Sequence, residues 1–377
     1  MRPSSPMRMN IEETVKTRLL LAASLGALAL GATACGSSSN NSSTASSGSS
    51  SSGTVNGAGS TFAAPVYQQW GSTLKDKGVT LNYQAVGSGA GVAALAQGTA
   101  DFAGSDPALA AADRKALSKG PAIQIPMFFG AITVSYNVNG LQKGLKLDGA
   151  TIADIFLGKI TSWDDPAIAK LNSGVKLPGT KITVVHRSDE SGTTKGFTTF
   201  LAAYSSEWKS KVGVDKTVKW PTGTGAKGND GVAASVKQTD GAVGYVEEAY
   251  ALQNKFTTAD VKNKAGQFVE PTLASTSAAG DGLKIPADLG VSTIDAPNAA
   301  AYPITSQTFV DLYKDVCKAG MKQTDANALG TFLNYGLGEG QASLNQLFYA
   351  KLPAALLAKS KAAAQSVTCN GSPLSGA

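Results

Sequence analysis

The 377-residue chain contains one histidine, His186, and only three cysteines. A metal site of histidines and cysteines therefore has almost nothing to be built from, and no metal or other cofactor is expected. Lysines are scattered through the chain and aromatics make up only 7% of it. No basic run with interleaved aromatics stands out, which argues against nucleic acid as a partner. The phosphate-cradling pattern G-x-x-x-x-G-K-[ST] is absent, and Gly87-Ser88-Gly89-Ala90-Gly91 lacks the glycine spacing of a dinucleotide fingerprint. Ser88 is not a nucleophile-elbow serine either, because Val86 stands where the first glycine of G-x-S-x-G belongs. No internal repeat is evident. His186, beside Arg187 at a strand end, reads as structural or exposed.

The amino-terminal 35 residues have the layout of a secretory signal: Arg2, Arg8, Lys16 and Arg18, then the apolar run Leu19 to Leu30, then small residues ending at Cys35. That run is too short to span a bilayer. Residues 36–54, almost all Ser, Gly, Asn and Thr, read as a flexible tether unable to bury a core. The arrangement resembles a bacterial lipoprotein, with Cys35 acylated after cleavage and the domain anchored on the extracytoplasmic face of the cell membrane. Ala32, where such signals usually carry Leu, is a departure that keeps plain secretion as an alternative. Cys317 and Cys369 form an even pair in an exported chain and read as a disulfide, with two free thiols as the alternative. The formal charge is +6. Four basic and two acidic residues of the signal account for +2 of it, leaving a mildly basic +4 on the exported part.

Beyond the tether about 320 residues remain, enough for two domains. Short apolar runs (Thr80 to Val86, Ala131 to Tyr136, Ile182 to Val185, Ala242 to Val246) alternate with helical patterns, the α/β signature. Helices are predicted at 63–75, 91–97, 152–157, 193–204, 231–238, 308–314, 326–335 and 353–364. Three helix starts carry hydroxyls beside glycines: Gly57 to Phe62 ahead of a helix with Pro65 in its first turn, Gly87 to Gly91, and Arg187 to Thr194. Such starts present unpaired N–H groups at the positive end of a helix dipole, and Arg187 adds a planar cationic fork. Singly, each could be an ordinary N-cap. Together they suggest an oxyanion site.

The stretches Gly59-Ser60-Thr61-Phe62-Ala63-Ala64-Pro65-Val66-Tyr67, Gly87 to Val92, Thr99 to Leu109, and Arg187-Ser188-Asp189-Glu190-Ser191-Gly192-Thr193 resemble the phosphate-binding protein family of ABC transporters, PstS. So do Leu147 to Gly149, Ile155 to Ile160, Trp163 to Asp165, Gly228 to Val232, Gly241 to Val246 and Tyr302 to Ile304, in order over nearly all of residues 55–377. The resemblance implies an α/β, type II periplasmic-binding-protein fold: two α/β domains joined by crossover hinge strands, with a ligand cleft between them. Domain I would comprise 55–135 plus 302–377, and domain II 136–301. It implies a monomeric, non-enzymatic binding protein that takes inorganic phosphate and delivers it to an ABC permease. The ligand contacts carried over are Thr61, Phe62, Ser88, Asp106, Arg187, Ser191, Gly192 and Thr193, with Asp189 orienting Arg187. Departures are local: Ala63 replaces a frequent Pro, Gly89-Ala90 a Ser-Gly pair, and Glu190 the usual Gly. Glu190 is expected to face solvent, since a carboxylate turned inward would repel an anion.

An ionised carboxylate only accepts hydrogen bonds, so Asp106 belongs beside an anion only if that anion carries a proton. Phosphate does; sulfate does not. Rival readings are a binding protein for another tetrahedral oxyanion such as sulfate or molybdate, a surface protein that has lost its transport role, and an exported phosphatase or serine hydrolase using Ser88 or Ser191. The enzymatic reading lacks a base and a cluster of metal ligands.

Overall fold

The computed structural model describes residues 52–376. The signal, Cys35 and nearly all of the tether lie outside the described residues. The first strand begins at Gly53, so it takes in the last two residues of the expected tether.

In chain order the fold begins β1 (Gly53–Gly59), α1 (Ala64–Leu74), β2 (Val79–Ala85), α2 (Ser88–Gln97), β3 (Phe102–Ser105), α3 (Ala111–Ala116) and the 16-residue β4 (Ala122–Asn137). There follow β5 (Lys146–Leu147), α4 (Gly149–Phe156), α5 (Pro166–Leu171), β6 (Thr183–Arg187), α6 (Gly192–Tyr204), α7 (Ser206–Lys211), β7 (Thr224–Ala226), α8 (Gly228–Gln238), β8 (Ala242–Glu247) and α9 (Glu248–Gln253). The remainder comprises β9 (Thr257–Thr258), β10 (Asp260–Lys262), β11 (Phe268–Val269), α10 (Leu273–Ala278), β12 (Thr305–Tyr313), α11 (Gln323–Leu337), α12 (Gly340–Ser343), α13 (Ala354–Gln365) and the short pair β13 (Thr368–Cys369) and β14 (Ser372–Pro373), with 3-10 turns between some of them.

The principal sheet has the order β2-β1-β3-β12-β4-β8-β6-β7, with β9 paired to β4. Two parallel groups, β2-β1-β3 and β8-β6-β7, flank the antiparallel pair β12 and β4. Strand β4 spans the join: residues 122–131 pair with β12, and residues 132–137 pair with β8. A parallel pair needs a crossover, and helices supply it, so that strand ends and helix starts gather at the same edge of each group.

Apolar periodicity explains the helices that position the site. Along α1, Val66, Trp70 and Leu74 recur every four residues and are fully buried, with Phe62 just ahead of the helix; Trp70 meets Phe128 edge-on at 5.8 Å. Along α6, Phe197, Phe200 and Leu201 are buried, and Phe197 stacks on Tyr245 of β8 at 4.3 Å. Fully burying one such ring contributes about 2–3 kcal/mol, so each helix start is held by the packing behind it.

One expectation is overturned. Of the segment 308–314, predicted helical, residues 308–313 belong to β12, whose nine residues are all buried. Phe309, Val310, Leu312 and Tyr313 satisfy a helical spacing, but a strand covered on both faces also reads as a near-continuous apolar run. β-Branched Thr305, Thr308 and Val310 favour the strand once β3 and β4 flank it. Cys317 and Cys369 are joined by a disulfide, as expected. Among the described residues no helix is long and apolar enough to cross a membrane.

Candidate functional site

Strand β1 ends at Gly59, and the chain turns through Ser60, Thr61 and Phe62 into α1. Ser60 ties this turn to β3: its N–H donates to the Gly104 carbonyl at 2.8 Å, and its hydroxyl donates to Asp106 Oδ1 at 2.5 Å. The Thr61 and Phe62 amides meet no protein acceptor among the described residues, as befits groups just ahead of a helix. Ser88 is the first residue of α2; its hydroxyl lies 3.5 Å from Asp106 Oδ2 and 3.4 Å from the Asp106 N–H. Thr308 of β12 donates to Asp106 Oδ1 at 3.1 Å. Two hydroxyls therefore occupy Oδ1, while Oδ2 has only the long contact from Ser88. Burial pushes the Asp106 carboxyl up to about 6, against the lowering pull of Ser60, Thr308, Arg187 and Ser88.

The opposite wall is built at the end of β6. Arg187 is buried, and its backbone N–H donates to Tyr245 Oη at 3.1 Å. Its Nε donates to Asp189 Oδ1 at 2.7 Å and its Nη2 pairs with Asp189 Oδ2. Burial alone would raise the Asp189 carboxyl, but the paired bonds from Arg187 and the Gly228 N–H outweigh it and hold the group below its ordinary value. One edge of the guanidinium is thus committed, and Nη1 is left facing Thr193 Oγ1 at 3.4 Å. Ser191 caps α6 by accepting the Thr194 N–H at 3.1 Å, which leaves its hydroxyl proton free. The Gly192 and Thr193 amides stand in the first turn, where a helix offers no acceptor.

The two walls touch. A Cβ placed on Gly192 would fall 2.5 Å from both Asp106 Oδ2 and Ser88 Oγ, so glycine is what lets the start of α6 approach the carboxylate. The Gly89 N–H donates to the Glu190 carbonyl at 3.1 Å across the same gap. The structure therefore brings together every expected contact: Thr61, Phe62, Ser88, Asp106, Arg187, Ser191, Gly192 and Thr193, with Asp189 behind Arg187. Glu190 is exposed, as expected, and its side chain lies over Gly89, where a Cβ would come 2.5 Å from Glu190 Cβ. A cavity of about 250 Å³ opens beside Asp106 and Gly192, flanked by Lys195 and Gln307. His186 takes the structural role expected of it, stacking on Trp220 at 4.6 Å, and burial lowers its pKa.

Sequence reasoning missed several residues that hold these groups. Ser60 and Thr308 were not assigned, although Ser60 stands next to Thr61; Thr308 lay in the segment misread as helix. Asn229, at the start of α8, joins both walls: its Nδ2 donates to Thr61 Oγ1 at 2.9 Å and to Thr193 Oγ1 at 3.2 Å. Only the Gly228 to Val232 motif signalled it. Tyr250 donates to the Thr61 carbonyl at 2.7 Å. Tyr349 Oη lies 2.7 Å from both the Phe62 carbonyl and Glu247 Oε2, and both contacts are hydrogen bonds only if Glu247 carries a proton. Burial raises the Glu247 carboxyl well above its ordinary value, in agreement. Among the described residues no group of three or more His, Cys, Asp or Glu could hold a metal ion.

Residues 44–339 match the family model of the PBP superfamily domain. The chain is 41% identical over 313 residues to the phosphate-binding protein PstS of Pasteurella multocida, covering 82% of this chain and 89% of that one. It is 38% identical to the phosphate-binding protein PstS 3 of Mycobacterium leprae, covering 83% of this chain and 87% of that one. Among solved structures, a high affinity periplasmic phosphate-binding protein (PfluDING) bound with phosphate superposes with a TM-score of 0.68 at 25% identity, over 82% of this chain and 93% of that one. The phosphate-binding protein of Stenotrophomonas maltophilia gives 0.66 at 21% identity, over 85% of this chain and 96% of that one, a likeness of fold. With its α/β sheet of two parallel groups and its periplasmic-binding-protein fold, the chain belongs to the PstS family of phosphate-binding proteins.

Proposed function

We propose that this chain is an extracytoplasmic substrate-binding protein that captures inorganic phosphate and delivers it to an ABC permease in the membrane. The observation that carries the reading is the meeting, in one buried site, of an arginine, a set of amide and hydroxyl donors, and one carboxylate with a free lone-pair face. Phosphate as its mono- or dihydrogen ion would accept from the Thr61 and Phe62 amides, the Thr61, Ser88, Ser191 and Thr193 hydroxyls, the Gly192 and Thr193 amides and Arg187 Nη1. Its own O–H would donate to Asp106 Oδ2. Many modest donors together hold such an ion without a metal. Sulfate, fully ionised, would set acceptor against acceptor at Asp106.

The halves 55–135 plus 302–377 and 136–301 would act as the two domains, with β4 and β12 as the strands between them; the changeover of β4 from β12 to β8 at Ile132 supports that division. Closing the walls on phosphate would produce the shape the permease reads. Acylation of Cys35 would keep a monomeric protein on the extracytoplasmic face of the cell membrane. No catalytic role is assigned: His186, the one histidine, is stacked on Trp220 with its Nδ1 at the Arg187 carbonyl, and so does not serve as a base for Ser88 or Ser191. Calorimetric titration of phosphate-stripped protein with phosphate, arsenate, sulfate and molybdate tests the reading. Phosphate and arsenate should bind and sulfate should be rejected near pH 8; sulfate binding as tightly as phosphate would overturn it.

A further inference from the structure

Asn229 lies between the walls, and its hydrogen bonds run in one direction only. A threonine hydroxyl has one proton and two lone pairs, so what it offers a ligand depends on what already fills its acceptor side. Thr61 Oγ1 accepts two N–H groups of Asn229, from the backbone at 3.2 Å and from Nδ2 at 2.9 Å. Thr193 Oγ1 accepts the other Nδ2 hydrogen at 3.2 Å and faces Arg187 Nη1 at 3.4 Å. All these partners are donors, so neither hydroxyl can spend its proton on them. The amide cannot turn over, because its Oδ1 accepts the Glu247 N–H at 3.0 Å, and Nδ2 in that place would set donor against donor. Asn229, Thr61 and Thr193 are all buried, so water does not compete for these bonds.

We propose that Asn229 is a positioning residue that sets the polarity of the site, holding the Thr61 and Thr193 hydroxyls as obligate donors to the oxyanion from both walls at once. The inference rests on the phosphate-capture reading and adds to it how two of the hydroxyls are kept from presenting lone pairs to an anion. A carboxylate at position 229 has nearly the same shape and can still accept the Glu247 N–H, but it draws both hydroxyl protons toward itself. Each hydroxyl then turns a lone pair toward the ligand.

The test is phosphate titration by calorimetry, from pH 5.5 to 8.5, of wild type, N229A and N229D. N229A should bind about 10-fold to 100-fold more weakly than wild type, the loss of about one or two hydrogen bonds. At pH 8, N229D should be weaker than N229A by at least about 10-fold more. That extra deficit should shrink as the pH falls and the new carboxyl takes up a proton. Charge repulsion alone also weakens N229D in this way, so the discriminating arm repeats both variants in a T61V/T193V background: with no hydroxyls to reorient, the excess deficit of N229D over N229A must shrink there, and an unchanged excess overturns the proposal. N229D binding as well as N229A at every pH overturns the proposal, as does N229A equal to wild type. Should N229D fail to fold, N229A is compared in a T193V background. Its effect must be smaller there than in wild type, and strictly additive losses overturn the proposal. Wild type failing to bind phosphate would sink the capture reading with it, whereas normal wild-type binding with the wrong rank of variants sinks only the role of Asn229.

Discussion

Asp106→Asn tests the selectivity of the site most directly, because the side chain keeps its shape while one face changes from acceptor to donor. The amide oxygen can still accept from Ser60 and Thr308, as Oδ1 does now. The amide nitrogen then stands where Oδ2 stands, against Gly192 and Ser88. For wild type the size of the barrier against sulfate follows from the Asp106 carboxyl, which burial lifts to about 6. Sulfate can enter without conflict if Asp106 first takes a proton and becomes a donor. Doing so costs about 1.4 kcal/mol per pH unit above the pKa, or about 3 kcal/mol at pH 8. The alternative, a dianion about 3.5 Å from an ionised carboxylate, costs about 5 kcal/mol per unit charge at an effective dielectric of ~20, so the protonated route is taken. Wild-type sulfate affinity should therefore fall about tenfold per pH unit above pH 6, reaching about a hundredfold by pH 8. In D106N it should be flat. Calorimetry with sulfate from pH 5.5 to 8.5 at fixed ionic strength measures both slopes. A wild-type sulfate affinity independent of pH, or a slope that survives in D106N, refutes the reasoning. The free protein supplies a second check: a carboxyl raised in the folded state contributes stability that is full below its unfolded pKa and is lost as the pH rises through about 6. D106N lacks that loss and should be more stable than ligand-free wild type at pH 8, by up to about 3 kcal/mol.

Two further outcomes concern residues around the site. Reducing the Cys317–Cys369 bond, which closes a separation of 52 residues, should destabilise the protein by about 4 kcal/mol in denaturant titrations and leave phosphate affinity within about twofold, since it lies outside the site. G89S should destabilise the protein by about 1–3 kcal/mol by crowding Glu190, and adding E190G should restore both melting temperature and phosphate affinity; equal defects in the single and double variants would separate the two positions.

Much of this site was legible before any coordinates. Hydroxyls and glycines at helix starts near Thr61, Ser88 and Ser191 announce donors that a helix cannot itself satisfy, and the apolar stripes behind them located α1 and α6. The resemblance then assigned Asp106 and Asp189, which local pattern alone does not single out. Thr308 was hidden because a strand buried on both faces loses its period-two signature, and Phe309, Val310, Leu312 and Tyr313 then imitate a helix. Asn229, Tyr250 and Tyr349 escaped for a different reason. Each acts through a contact more than 160 residues away in sequence, and only the folded chain puts Asn229 against Thr61 or Tyr349 against Phe62.

The partnership of Arg187 with Asp189 has a consequence for how an anion arrives. Counting only the ionised groups that would touch the ion or pair with its arginine above pH 6, Arg187 stands against two carboxylates, Asp189 and Asp106, a local sum of −1. The formal excess of lysine and arginine over the whole chain therefore has no counterpart at the binding point, and long-range attraction gives an incoming phosphate little guidance. Holding the ion falls to oriented peptide and hydroxyl dipoles, whose reach is short and which added salt scarcely weakens. A receptor of this kind should gather its cargo almost as well in brackish surroundings as in dilute ones.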